Sequence, residues 1–232
     1  MTIRVDCLDF VAGARAAHGL AVVIDVFRAF SVACYAIAAG AQRIHPVAAL
    51  EDARALRQAH PDWLAIGERH ARRLEGFDFG NSPAEICAAD LAGRTLLHTT
   101  HAGTQGLLAA TGADVVITGS LVNAAAICRF VAARRPAVVS LVRMGHEARE
   151  RCVEDDLCAA LIAARLQGRD FDTAGIVAAL RQAPSAQKFF DPAAVWAPQS
   201  DFGLCTRLDR FDFVLRLAGR QDDLPWLEAI PA

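Results

Sequence analysis

Short apolar runs alternate along this chain with alanine-rich stretches, and several of the runs end abruptly in charged or hydroxyl-bearing residues. Val22-Val23-Ile24 is the clearest case. It reads as a buried strand, breaks into Asp25-Val26-Phe27-Arg28, and is followed by an apolar stretch of helical character. The alternation predicts strands near 2–6, 21–26, 43–47, 63–67, 94–99, 114–118 and 137–143. Helices are predicted near 29–39, 48–59, 103–111, 121–134, 153–167 and 172–183. Within 48–59, Leu50, Ala53, Leu56 and Arg57 recur at three-to-four spacing, which leaves one face for burial. Strands interleaved with helices imply an α/β fold, a three-layer α/β/α arrangement with a largely parallel or mixed sheet.

Two regions depart from this rhythm. Residues 68–93 form the longest stretch with no regular pattern, and their Phe, Leu and Ile content argues against disorder. The tail from about 196 carries Trp196, Phe202, Phe211, Phe213 and Trp226, so it is predicted to pack. With no repeat, low-complexity tract or linker, residues 1–232 read as one α/β domain, two intertwined subdomains being the alternative.

In open α/β sheets ligands collect beyond the carboxyl ends of the strands, so the residues there carry the chemistry. Asp25 and Arg28 follow one predicted strand, Glu68 and Arg69 the next of this kind. Thr99, Thr100, His101, Ala102, Gly103 and Thr104 follow a third, and Ser120 with Asn123 a fourth. The 99–104 segment precedes a predicted helix, where free N–H groups attract anions; an ordinary threonine helix cap is the competing reading. His101 has the chemistry of an acid or base near neutral pH, with loop packing as the alternative. Glu154-Asp155-Asp156 opens another predicted helix. Acidic residues suit a first helical turn on dipole grounds alone, and their oxygen ligands also suit Mg²⁺.

Composition narrows the field. Net charge is −2 with both signs dispersed, which excludes a basic nucleic-acid face and a polybasic membrane surface. No apolar run is long enough to span a bilayer, and Met1-Thr2-Ile3-Arg4-Val5-Asp6 lacks the layout of a signal peptide, so a cytoplasmic protein is expected. The seven cysteines are scattered without a C-x-x-C pair, which favours core thiols over a zinc site. Lys188 is the sole lysine; taken as a matter of base composition, it gets no functional weight. The Walker A pattern, G-x-G-x-x-G after a strand, H-E-x-x-H and G-x-S-x-G are absent, and Asp25-Val26-Phe27 lacks the second aspartate of haloacid-dehalogenase-type phosphatases. The Cys-x5-Arg string from Cys128 to Arg134 falls inside an alanine-rich helical pattern and reads as a chance match.

Several blocks together resemble the 2-phosphosulfolactate phosphatases, Mg²⁺-dependent enzymes of coenzyme M biosynthesis. They are VVIDVFRAFS (22–31), GER (67–69), GFDFGNSP (76–83), TTHAGT (99–104), GSLVNAAA (119–126) and VEDDLCAALI (153–162), with DFGLCTRLDRFDF (201–213) a looser match. The resemblance implies an α/β/α fold and hydrolysis of the phosphate ester of a small 2-hydroxy acid, 2-phosphosulfolactate or a related compound. It implies Asp25, Arg28, Glu68 and Arg69 as catalytic residues. Asn81, Ser82, Thr99, Thr100, Gly103, Thr104, Ser120 and Asn123 are the substrate-binding candidates, with Asp78 matching by position. Mg²⁺ would be held by Asp25, Glu154 and Asp155. Family members commonly read T-T-T-N-G-T where this chain has Thr99-Thr100-His101-Ala102-Gly103-Thr104, and often Arg at Gln105, a departure that bears on which phosphorylated acid is the substrate. A non-catalytic binder of phosphorylated hydroxy acids is the rival reading. A small phosphorylated acid is the expected partner, with no nucleic acid and no membrane; a homo-oligomer is left open.

Overall fold

The structure, a computed structural model, describes residues 3–219 and 224–232. Seven predicted strands are present: β1 (Arg4–Asp9), β2 (Leu20–Ile24), β3 (Arg43–Pro46), β4 (Leu64–Arg69), β6 (Thr95–Thr99), β7 (Val115–Gly119) and β8 (Val138–Arg143). Position 2 of the strand predicted over 2–6 lies outside the described residues. Three further strands join them: β5 (Arg72–Arg73), β9 (Phe213–Ala218) and β10 (Trp226–Pro231). The helices are α1 (Phe10–Ala16), α2 (Ala29–Ala38), α3 (Leu50–Ala59), α4 (Pro83–Ala88), α5 (Gly103–Ala109), α6 (Ala124–Arg134), α7 (Val153–Leu166), α8 (Ile176–Gln182) and α9 (Gln199–Cys205).

The stretch 68–93 is thus not irregular throughout. β4 turns back through β5, and Ser82 caps α4 by accepting the Glu85 N–H, with Pro83 at the first helical position. The helix predicted over 121–134 opens as a 3-10 turn at Leu121–Asn123 before α6 begins.

The ten strands run in the order β1-β8-β2-β7-β9-β10-β3-β6-β4-β5. β1, β8, β2 and β7 form one parallel block, and β3, β6 and β4 a second. The antiparallel β9–β10 hairpin, tied by the Arg216–Glu228 ion pair, joins the blocks. It meets β7 through the single pair Ile117–Arg216 and β3 through Leu227–Ile44. Three successive antiparallel pairings make the blocks run in opposite directions. Their carboxyl ends can share one pocket only if the blocks turn toward each other across these one-residue joints.

β2 shows how the layers form. Ala21 and Val23 face the core under α1, α2 and α5, while Leu20, Val22 and Ile24 face the core under α6 and α7. Residues alternate sides along a strand, so a run apolar throughout is buried on both faces. This is the predicted α/β/α layering. Among the described residues no helix is long and apolar enough to cross a membrane.

Candidate active site

The end of β2 is where the first charge surfaces. Asp25 accepts the Ala29 N–H through Oδ1 at 3.2 Å and remains 8% exposed. Its neighbour Gly103 must lack a side chain, since a Cβ there would sit 2.7 Å from Asp25 Oδ2. Glu68, at the end of β4, links two loops: Oε2 accepts the Ala71 N–H and Oε1 the His101 N–H, both at 2.8 Å. Glu154, in the first turn of α7, accepts a 2.6 Å hydrogen bond from the Ser185 hydroxyl. The three carboxylates line one pocket together with Arg28, Asn81, Cys152 and Lys188.

Negative charge is in surplus there. Burial, and then Glu68 and Glu154, push Asp25 up to about 7, opposed by the Ala29 hydrogen bond and by Lys188. Burial likewise raises Glu154. Lys188 is lowered by burial and by Arg28, with Glu154 and Asp25 pulling the other way. Burial and the adjacent carboxylates hold the Cys152 thiol well above its ordinary range, so it is no ready nucleophile. The deep donor set is carboxylate oxygen, which suits a hard divalent cation such as Mg²⁺ and would have its charge relieved by one.

Asp155 is employed differently. Its Oδ1 accepts the Val26 N–H at 2.9 Å and its Oδ2 the Gly145 N–H at 2.8 Å, so it clips the end of β2 to the loop after β8. Gly145, at a φ of 63°, supplies the left-handed turn this requires. Burial and then the charges of Asp25 and Glu154 drive Asp155 well above the usual carboxylate range.

Arg28 lines the pocket but its charge is already answered. Nη1 donates to Asp201 Oδ2 at 2.7 Å and to the Trp196 carbonyl at 2.9 Å, and Nη2 to the Ala71 carbonyl. Asp201 Oδ1 in turn accepts the Ser82 hydroxyl and the Ala84 N–H. Asn81 is better placed to meet a ligand. Burial lowers His98 to about 4, so its ring is neutral, and its Nε2 lies 3.3 Å from Asn81 Oδ1. Assigning the single ring proton to Nε2 makes Oδ1 an acceptor and leaves the Asn81 amide N–H groups for the pocket.

Other sequence candidates do not reach the pocket lining. Arg69 donates to the Glu68 and Ala48 carbonyls and to Thr99 Oγ1. Thr100 and Thr104 satisfy one another, each hydroxyl accepting the other's N–H, so they stitch the loop together instead of facing an anion. Ser120 and Asn123 form a reciprocal cap on the 3-10 turn, with Ser120 Oγ also bonded to Ser31 Oγ at 2.7 Å. Asp78 accepts the Ala65 N–H. From the 99–104 loop it is His101 and Ala102 that face the pocket. Cys128 and Arg134 both lie within α6, as the helical pattern required, and burial takes the Cys128 thiol up to about 11.

Sequence reasoning singled out neither Ser185 nor Lys188, which line the pocket, nor Asp201, which holds Arg28. All three come from the segment 184–205, whose Phe189 and Phe202 pack on Phe27 with ring centroids 5.1 and 5.9 Å away. The available signals were Lys188 itself, a lone lysine in a chain otherwise basic through arginine, and the looser matching block that begins at Asp201.

A family model described as 2-phosphosulpholactate phosphatase matches residues 9–220. The chain is similar to proteins named "Probable 2-phosphosulfolactate phosphatase" from three organisms. With that of Parasynechococcus marenigrum it is 37% identical over 156 residues, 66% of this chain and 64% of the relative. With that of Synechococcus sp. strain CC9605 it is 35% identical over 193 residues, 81% of this chain and 74% of the relative. With that of Bacillus subtilis it is 29% identical over 213 residues, 90% and 91% of the two chains. The chain therefore spans just under two thirds of the length of the first relative and more of the other two.

Proposed function

The chain belongs to the 2-phosphosulpholactate phosphatase family, a family of phosphoric monoester hydrolases, and from that premise we propose that it hydrolyses the phosphate ester of a small 2-hydroxy acid with the help of Mg²⁺. The substrate is 2-phosphosulfolactate or a close relative, which would give the enzyme a role in coenzyme M biosynthesis. The observation that carries this reading is the convergence of Asp25, Glu68 and Glu154 with Lys188 on one pocket, where buried carboxylates outnumber the cations.

Asp25, Glu68 and Glu154 would hold the ion. Asp155 keeps the two loops beneath it in register through its hydrogen bonds to Val26 and Gly145. Mg²⁺, when bound, supplies Lewis-acid charge neutralisation, worth several kcal/mol in phosphoryl transfer. The protein's own residues do the remaining work, which in this chemistry is chiefly positioning and charge stabilisation. Lys188 would bring its ammonium to the phosphoryl oxygens, and Asn81 offers amide donors held in place by His98. Arg28, shared with Asp201, shapes the pocket wall and presents a partly neutralised guanidinium.

Phosphate release from 2-phospho-hydroxy acids, followed with Mg²⁺ and with EDTA, tests the proposal. Turnover with Mg²⁺ and none with EDTA is expected. Equal rates in both would remove the metal, and saturable binding without phosphate release would make the protein a binder of phosphorylated acids instead.

A further inference from the structure

Above the carboxylates, on the same pocket wall, three loops bring together side chains that the proposed reaction does not use. His70 lies in the turn between β4 and β5, His101 after β6, and Glu147 in the loop after β8. One ligand atom from each lies within 4.8 Å of the others. We propose that His70, His101 and Glu147 form a binding site for a borderline transition-metal ion of the Zn²⁺ class, with its fourth position open to the pocket.

Four observations support the site. First, Glu147 Oε1 collects imidazoles: His70 Nδ1 at 2.6 Å, His101 Nδ1 at 3.9 Å and His146 Nε2 at 4.0 Å. A simple ion pair accounts for His70 and leaves the other two unexplained. Second, His101 Nδ1 is buried and has no hydrogen-bond partner, although the ring's backbone is anchored by the bond from its N–H to Glu68. A buried ring nitrogen without a partner costs free energy unless something occupies it. Third, the distances suit a tetrahedral ion. With metal–nitrogen bonds near 2.0 Å, neighbouring ligands stand about 3.3 Å apart. The 2.6 and 3.9 Å from Glu147 Oε1 to the two imidazoles fall on either side of that value. Fourth, His70 and Glu147 each lead a tight turn, paired with Ala71 and Ala148 in left-handed backbone and closed by Arg69–Arg72 and His146–Glu150, so both ligand candidates stand on fixed turns.

The ligand chemistry separates this site from the deeper one. Two imidazoles and a carboxylate favour Zn²⁺, Co²⁺ or Ni²⁺, whereas the carboxylates around Asp25 favour Mg²⁺. Three protein ligands leave one coordination position for water or for an anionic group of a ligand in the pocket. The inference does not depend on the phosphatase reading, because metal binding is measured directly.

The test uses the full chain with the exposed Cys7 and Cys87 replaced by Ser, stripped of metal and kept in millimolar Mg²⁺ to fill the carboxylates. Zn²⁺ is titrated against a chromophoric chelator, and Co²⁺ is added separately to read its visible absorption. One equivalent of Zn²⁺ should bind. His70→Asn, chosen because asparagine tolerates the left-handed backbone, and Glu147→Gln should each weaken it at least ~100-fold and bleach the Co²⁺ bands. Glu154→Gln should change Zn²⁺ affinity by less than about threefold, with circular dichroism confirming that every variant is folded. The absence of a saturable equivalent, binding indifferent to both ligand variants, or a thiolate charge-transfer band with Co²⁺ would each overturn the site.

Discussion

Two clusters of buried charge sit side by side in this molecule and are built on opposite principles. In the first, Arg28 and Asp201 are nearly or wholly inaccessible, and every contact is answered: Asp201 receives Arg28, the Ser82 hydroxyl and the Ala84 N–H, while Arg28 also meets two carbonyls. In the second, Asp25, Glu68 and Glu154 converge on one pocket with Lys188, and burial raises Asp25 and Glu154. A satisfied pair inside a protein holds loops in place and leaves little for a ligand to gain. A surplus of like charge stores a demand for a counter-ion.

The sharpest way to break this comparison is Asp201→Ala. Removing one partner of a buried pair should cost about 3–5 kcal/mol, read as a lower denaturation midpoint. A loss below about 1 kcal/mol would mean that Arg28 finds compensation elsewhere, and the two clusters would then be alike.

Asp25→Asn probes the other cluster and should have the next largest effect. It should lower kcat/KM by about 2–4 kcal/mol of transition-state stabilisation, by analogy with the removal of other electrostatic groups. Stability should move the other way. Asp25 in the folded protein titrates near 7 against an ordinary value of 3.8, so the folded chain retains a proton that the unfolded chain has released. Metal-free wild-type stability should therefore fall as pH rises from about 4 to about 7, with Glu154 and Asp155, also raised by burial, adding to the fall. The variant should show a shallower decline and be the more stable of the two at pH 8, the decline that remains coming from Glu154 and Asp155. Melting curves across this range in EDTA check it; identical slopes for both proteins would show that the carboxylate is already compensated.

Ser120→Ala marks the smallest effect and separates framework from site. Losing the bond to Ser31 and the cap on the 3-10 turn should cost about 1 kcal/mol and leave KM unchanged. A several-fold higher KM at unchanged melting temperature would return Ser120 to the substrate.

The framework was largely legible because its signals are local. The run Val22-Val23-Ile24 is buried on both faces, and the strand and helix patterns from 20 to 166 meet their elements within a few residues. The β9–β10 hairpin was missed although Phe213–Ala218 and Trp226–Pro231 are as long as β1, because its role is to bridge blocks distant in the chain. α4, at six residues, is too short for a helical period to register. In the site, Asp25, Arg28, Glu68, Asn81 and Glu154 do line the pocket. Thr100, Thr104, Ser120 and Asn123 have the right chemistry but spend it on their own backbone, which no spacing rule distinguishes from a contact with an anion.

By itself the order of residues determined the layers, the strand ends and the kind of chemistry present, since burial pattern and side-chain type are properties of short segments. Which charges stay paired and which remain in surplus was decided only when the segment 184–205 folded across the end of β2. That closure delivers Asp201 to Arg28 from 173 residues away, and Ser185 to Glu154 from 31 residues away, with Lys188 joining the same pocket. Electrostatic demand depends on distance and burial in three dimensions, so the same aspartate could have ended as a strut or as a ligand until its neighbours arrived.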